Sequence, residues 1–133
     1  MNNELLKSLE EWNAGQKFAV GNDLVFIPDF KLSLNPMFKS KAYTDAEIAY
    51  CDRFEDSLLR YASTWAAKEA VYKAVKQIDP MAMSWLKIEI IREKIGGRPH
   101  VVFHHNPANP FRVSLTLSHD GDYAWAIAIA ELP

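Results

Sequence analysis

Two carboxylates stand where the surrounding pattern is otherwise apolar. Asp23 lies inside the stretch Phe18 to Ile27, which is rich in strand-forming residues. Asp is a poor strand former, and a lone buried carboxylate is costly. Either the strand ends near Gly21 and Asp23 is simply solvated, or the carboxylate is kept for a task. Glu69 raises the same question on a long helical pattern, four residues after Trp65 and three before Tyr72. Those spacings share a helix face, so the carboxylate projects from the apolar stripe or its margin. Lys68 points about 100° away, whereas Lys73, one turn on, is better placed. A plain Glu69–Lys73 surface pair, worth only about 0.3–0.5 kcal/mol, is the structural alternative. A divalent cation accounts for both carboxylates together. Mg²⁺ is usually held by one or two protein carboxylates, with substrate phosphates and water completing the octahedron. The chemistry to look for is therefore metal-assisted work on a phosphate, provided that the fold brings Asp23 and Glu69 together.

The elements that must position these residues can be read from periodicity. Asn2 to Asn13 predicts a short helix with Leu5, Leu6, Leu9 and Trp12 near one face. Phe18 to Ile27 predicts a strand stopped by Pro28. Thr44-Asp-Ala-Glu47 fits a capping box and predicts a helix to about Phe54. Ser57 to Gln77 is the longest helical pattern, supported by its alanines. After Pro80 the period changes to two: Leu86, Ile88 and Ile90 alternate with Lys87 and Glu89. Gly96-Gly97 marks a turn, Pro99 to His104 returns as a strand, and His105 to Pro110 reads as a loop. Val113, Leu115 and Leu117 alternate again, and Asp120-Gly-Asp122 turns them into Tyr123 to Glu131. The expected fold class is α+β: one strand, helices, then an antiparallel meander, with the long helix packed on the antiparallel sheet.

Bulk properties narrow the function classes. A chain of 133 residues suits one domain with a real core. A net charge of -2 lacks the basic excess of a nucleic-acid binder. No apolar run approaches the roughly 20 residues that span a bilayer. The acidic, amphipathic start is unlike a secretory leader, and a single cysteine, Cys51, cannot form an internal disulfide. These features favour the cytoplasm.

Four segments, in order, resemble the phosphopantetheinyl transferase superfamily. Gly21-Asn-Asp-Leu-Val-Phe-Ile27 resembles its Gly-x-Asp-hydrophobic segment, and Trp65-Ala-Ala-Lys-Glu-Ala-Val-Tyr-Lys73 resembles its helix motif. Gly97-Arg-Pro-His100 resembles its Gly-Lys/Arg-Pro turn, and Ser114 to Ala128, with Ser118-His119, resembles its closing strand and hairpin. The length is similar to that of the small holo-acyl-carrier-protein synthases. The larger class carries Gly-x-Asp-x-Glu, whereas Val25 stands at that second acidic position here. The division implied is an N-terminal helical extension over residues 1–17 and a transferase domain over 18–133. Members of the small class are typically homotrimers with active sites at subunit contacts.

The resemblance implies transfer of the 4′-phosphopantetheine group of coenzyme A to a serine of an apo acyl carrier protein. The serine attacks the β-phosphorus, and 3′,5′-ADP leaves. Asp23 and Glu69 are then the expected Mg²⁺ ligands, and Glu69, directly or through water, accepts the serine proton. Lys73 is the first candidate for a phosphate contact, and Lys68 ranks behind it because it can instead pair structurally on the opposite side. Gly97 and Pro99 shape a turn or approach the cofactor, and Ser118 and His119 hold its adenosine phosphate end or serve as turn chemistry. Three positions depart from the small class: Asn22, Phe26 and Thr64. Thr64 stands where many members have an Arg that helps bind the nucleotide, and Arg60, one turn earlier, is the expected substitute. Lys31, Lys39, Lys41, Arg53 and Arg60 suit an acidic carrier, although neighbouring acids balance them. Cys51 reads as a buried small hydrophobe, and His104-His105 as structural or solvated. Two competing readings remain at this point: a hot-dog-fold acyl-thioester enzyme, and a non-catalytic domain that binds coenzyme A or a carrier protein.

Overall fold

The structure is a computed structural model that describes residues 2–13, 17–79, 83–93, 97–105 and 111–133, with residues 10–13 described by backbone alone. The expectations that fell on Trp12 as a side chain, Pro80, Gly96 and 106–110 lie outside the described residues. The elements run α1 (Asn3–Asn13), β1 (Phe18–Phe26), α2 (Ile27–Ser33), α3 (Pro36–Ala42), α4 (Asp45–Asp52), α5 (Ser57–Val75), a short 3-10 turn (Trp85–Lys87), β2 (Ile88–Ile91), β3 (His100–Phe103), β4 (Arg112–Asp120) and β5 (Tyr123–Glu131).

Three antiparallel strands form the main sheet in the order β1-β5-β4, and β2-β3 is a separate antiparallel pair. The expected continuous meander is therefore broken between β3 and β4. Pro28 ends β1, as expected, and also opens α2, because a proline fits the first turn of a helix, where its missing N–H costs nothing. Pro36 does the same for α3 behind the Asn35 cap, whose side chain accepts from the Phe38 N–H. These two short helices were not read from the sequence, since neither has room for a full amphipathic repeat. The capping box of α4 is present in both directions between Thr44 and Glu47.

Helix α5 lies across the main sheet on an alanine surface. Ala62, Ala66, Ala67, Ala70 and Ala74 of the helix and Ala124, Ala126, Ala128 and Ala130 of β5 are all essentially inaccessible to solvent. Small residues on both sides let the backbones approach closely. The closest approach is at Gly21 of β1. A Cβ there would overlap the Ala70 carbonyl oxygen and lie 2.7 Å from the Ala74 nitrogen, so only glycine fits. Gly121, at φ 55°, serves the tight β4–β5 turn. The opposite face of the sheet is open and apolar: Phe18, Val20, Leu24, Phe26, Trp125 and Ile129 are each 39–59% exposed.

Candidate active site

Strand β1 does not stop at Gly21. Asp23 pairs with Ala126 in register and shares the α5-facing side with Gly21 and Val25. The reading of Asp23 as a solvated residue past the strand end is therefore not what the fold shows. Instead, Asp23 meets the flank of α5, where Lys73 donates a 2.8 Å hydrogen bond to its Oδ1 and a 3.2 Å bond to the Asn22 carbonyl oxygen. Gln77 ties the same edge by donating to the Val20 carbonyl oxygen at 2.9 Å. Lys73 thus takes Asp23 as its partner in place of the Glu69 pairing that the helix spacing allowed.

Glu69 is beside this pair. Burial pushes its carboxyl above the ordinary glutamate range, the Asp23 charge pushes it further, and Lys73 opposes both. Lys73 is held above the ordinary lysine range, chiefly by its hydrogen bond to Asp23. Two carboxylates and one ammonium converge on a surface edge, with the side chains of Asp23 and Lys73 11% and 45% exposed. The donor set suits a hard divalent ion: two carboxylates, one of them destabilised by the other, with only one cation between them. Val25 explains why there is no third acid. It is buried beneath α5, where a carboxylate would sit unpaired in the core. Phe26, the other departure, lies on the open face with its ring 5.2 Å from that of Tyr123.

Lys68 requires a correction. Its side chain is 0% exposed and its Nζ lies 2.5 Å from Glu47 Oε1, so it has no surface to offer a cofactor. Burial pulls the ammonium below the ordinary lysine range, and the Glu47 charge works against that. Glu47 in turn accepts the Thr44 and Ile90 N–H groups, each at 2.8 Å. The pair thus fastens α5, the α4 N-terminus and β2 in one buried knot. Thr44 also donates to Glu89, which contacts His104 Nε2 at 3.2 Å, so the His104 side chain is structural. Cys51 is fully buried against Thr64, and burial lifts its thiol to about 11, well away from reactivity.

On the other flank of α5 is a cavity of about 290 Å³. Arg60, Gly97, Pro99, Ser118 and His119 line it together, although they come from α5, the turn before β3 and the end of β4. The residue missed from the sequence is Arg92, just after β2, which lines the same cavity. A basic residue closing an apolar strand was its only trace. Thr64 is buried and its hydroxyl donates 2.8 Å to the Arg60 carbonyl oxygen, so it faces away from this space. Arg60 and Glu69 are nine residues apart on one helix. That spacing places them about 180° apart around the axis and about 13.5 Å along it. The carboxylates and the cavity therefore flank α5 on opposite sides.

A compact α+β domain with a carboxylate pair on one flank of a helix and arginines on the other has the build of an enzyme that handles a phosphorylated substrate. The sequence profile of the 4′-phosphopantetheinyl transferase superfamily matches residues 19–128. A holo-[acyl-carrier-protein] synthase of Koribacter versatilis is 36% identical over 120 residues, covering 84% of this chain and 95% of its own. The solved acyl carrier protein synthase of Mycobacterium tuberculosis superposes with a TM-score of 0.66 at 32% identity, covering 86% and 97% of the two chains. The complex of such an enzyme with coenzyme A from Chronobacterium ammoniagenes superposes at 0.75 with 27% identity, covering 89% and 99%. The chain belongs to the 4′-phosphopantetheinyl transferase superfamily and is of its small holo-acyl-carrier-protein synthase type. The hot-dog alternative is thereby removed, since a hot-dog sheet wraps one central helix.

Proposed function

We propose that this chain transfers the 4′-phosphopantetheine group of coenzyme A to a serine of an apo acyl carrier protein in the cytoplasm, releasing 3′,5′-ADP. The observation that carries the reading is the convergence of Asp23, Glu69 and Lys73, which are distant in sequence, at one edge of the sheet. Asp23 and Glu69 would hold Mg²⁺. When bound, that ion neutralises charge on the pyrophosphate and on the leaving group. Lys73 moves between the Asp23 carboxylate and a substrate phosphate oxygen, and Glu69 is placed to take the serine proton. Its raised affinity for protons suits it to that exchange. The apolar cavity lined by Met37, Phe38, Trp65 and Trp85 lies one helical turn from Glu69 and matches the uncharged pantetheine arm.

The nucleotide end belongs in the arginine-lined cavity, with Ser118 and His119 at its floor. The carboxylates and the cavity face away from each other across α5, which supports a site completed by a second copy. The open apolar sheet face supplies the contact surface, and the expected closed assembly is a homotrimer. Helices α2 and α3 present Lys31, Lys41 and the exposed Leu32 and Met37, a basic and apolar surface that fits an acidic carrier helix.

The direct test is mass spectrometry of an apo carrier protein incubated with this protein, coenzyme A and Mg²⁺. The expected result is a phosphopantetheine mass increment, lost on chelation of divalent ions and restored by Mg²⁺. Binding of coenzyme A with no transfer to any carrier would support the non-catalytic reading instead. The shared site has its own check. Glu69→Ala and His119→Ala, each inactive alone, are co-refolded at equal amounts. About one quarter of the sites should then draw an intact residue from each of two copies, and activity should return to about that fraction. No recovery would place the whole site in one chain.

A further inference from the structure

We infer that Gln77 is a positioning residue that holds the end of α5 to the open edge of β1 while Lys73 is away on a substrate phosphate. The inference rests on the transferase reading above, in which Lys73 exchanges Asp23 for that phosphate. Among the described residues, β1 pairs with β5 alone. Its odd positions face β5: the Lys17 carbonyl oxygen accepts the Leu132 N–H, and the Ile27 N–H donates to the Asp122 carbonyl oxygen. The carbonyls of Val20 and Asn22 therefore point outward along the free edge. Glu69, Lys73 and Gln77 follow one another at four-residue steps, a stripe that runs beside this edge. Lys73 closes the edge at Asn22 and Asp23, and Gln77 closes it at Val20.

The Gln77 amide bonds on two sides. Its Nε2 donates to the Val20 carbonyl oxygen and to the Lys73 carbonyl oxygen, each at 2.9 Å. Both partners are acceptors, so they fix which way the amide points and take both of its hydrogens. The Lys73 carbonyl needs such a donor. The Gln77 N–H that would serve it in a continuing helix turns to the Ala74 carbonyl oxygen instead, at 3.3 Å. Gln77 thus joins the backbone that carries the Lys73 ammonium to the strand that carries Asp23. When the Lys73 side chain leaves for a phosphate, it opens its own bonds to Asn22 and Asp23. The Gln77 bond remains and keeps the Lys73 backbone, and with it the approach of Glu69 to Asp23, in place.

The test is a double-variant cycle of urea melts on the metal-free protein, with Gln77→Met, Lys73→Met and the two together. Alone, Gln77→Met should shift the unfolding constant by less than about threefold, since water replaces an exposed bond. Added to Lys73→Met, which imitates the departure, it should shift it by about tenfold or more. Lys73→Gln takes the place of Lys73→Met if the double variant does not fold. In phosphopantetheine transfer, Gln77→Met should lower kcat about fivefold and leave KM for coenzyme A within about twofold. Gln77→Arg, which restores donors, should recover most of kcat, whereas Gln77→Glu, an acceptor when ionised, should not. An additive cycle, or an unchanged kcat in Gln77→Met and Gln77→Glu, overturns the positioning role and leaves the transferase reading standing. A wild type that modifies no carrier overturns that reading and the positioning role together.

Discussion

Replacing Glu69 with Ala is expected to lower phosphopantetheine transfer by about 10²–10³-fold without loss of the fold, the usual cost of removing one well-placed electrostatic group. Asp23→Ala should fall as far. Its stability cost should be small, because the Lys73 ammonium that it abandons is half in solvent and such pairs are worth about 1 kcal/mol or less. Glu69→Gln separates a reaction role from a structural one. The folded chain raises the affinity of Glu69 for a proton above that of the unfolded chain, so its ionised form is a cost to folding. That cost is fully present above the folded-state pKa and disappears as pH falls through it toward the unfolded value. In metal-free protein, Glu69→Gln should therefore be as stable as wild type or more so at neutral pH, with the difference vanishing in acid. Urea melts at two pH values read this directly. Near-normal transfer by Glu69→Ala or by Asp23→Ala would remove the residue replaced from the reaction and reject the shared role assigned to the pair.

Lys68→Met is expected to do the reverse: to weaken the fold severely and leave the chemistry of whatever remains folded intact. The variant strands the Glu47 carboxylate in the interior with two backbone N–H donors and no countercharge. Breaking a buried ion pair from one side costs about 3–5 kcal/mol, enough to lower the melting temperature by on the order of 10 °C. Replacing both partners, as Glu47→Leu with Lys68→Met, should recover part of the loss, since apolar groups need no pairing. A single variant within about 1 kcal/mol of wild type would show that Lys68 is not the fastening described above.

The contrast between Lys68 and Glu69 marks how far the sequence could be read. Both belong to one motif and are adjacent in the chain, yet one is sealed in the core and the other lies at a surface edge beside Asp23. Helix periodicity separated their directions by about 100°, but which direction met Glu47 depended on where α4 packed. The strand and helix patterns and the α4 capping box were legible because each depends on local period, and Asp23 and Glu69 stood out as residues out of place in it, but that they approach one another depends on how α5 packs on β1. The helices α2 and α3 were not, since seven residues each are too few to display a repeat, and their signals were a proline and a cap. The division into two sheets was hidden as well, because alternation reveals a strand but not its neighbour. Arg92 was invisible for a different reason. Its significance lies in buried guanidinium nitrogens with no hydrogen-bond partner among the described residues, which no sequence pattern reports.

The alanine bed beneath α5 sets a mechanical condition on the reaction. Asp23 rides on the sheet and Glu69 on the helix, so in the proposed site the gap across which they would share an ion is set by the layer between the two backbones. With glycine and alanine filling that layer there is almost no compressible side chain to absorb a change. A single added methyl group would wedge the two surfaces apart and, in the proposed site, widen the grip on the ion. Substitution along this seam would therefore disturb the proposed ion grip together with the packing of α5 on the sheet.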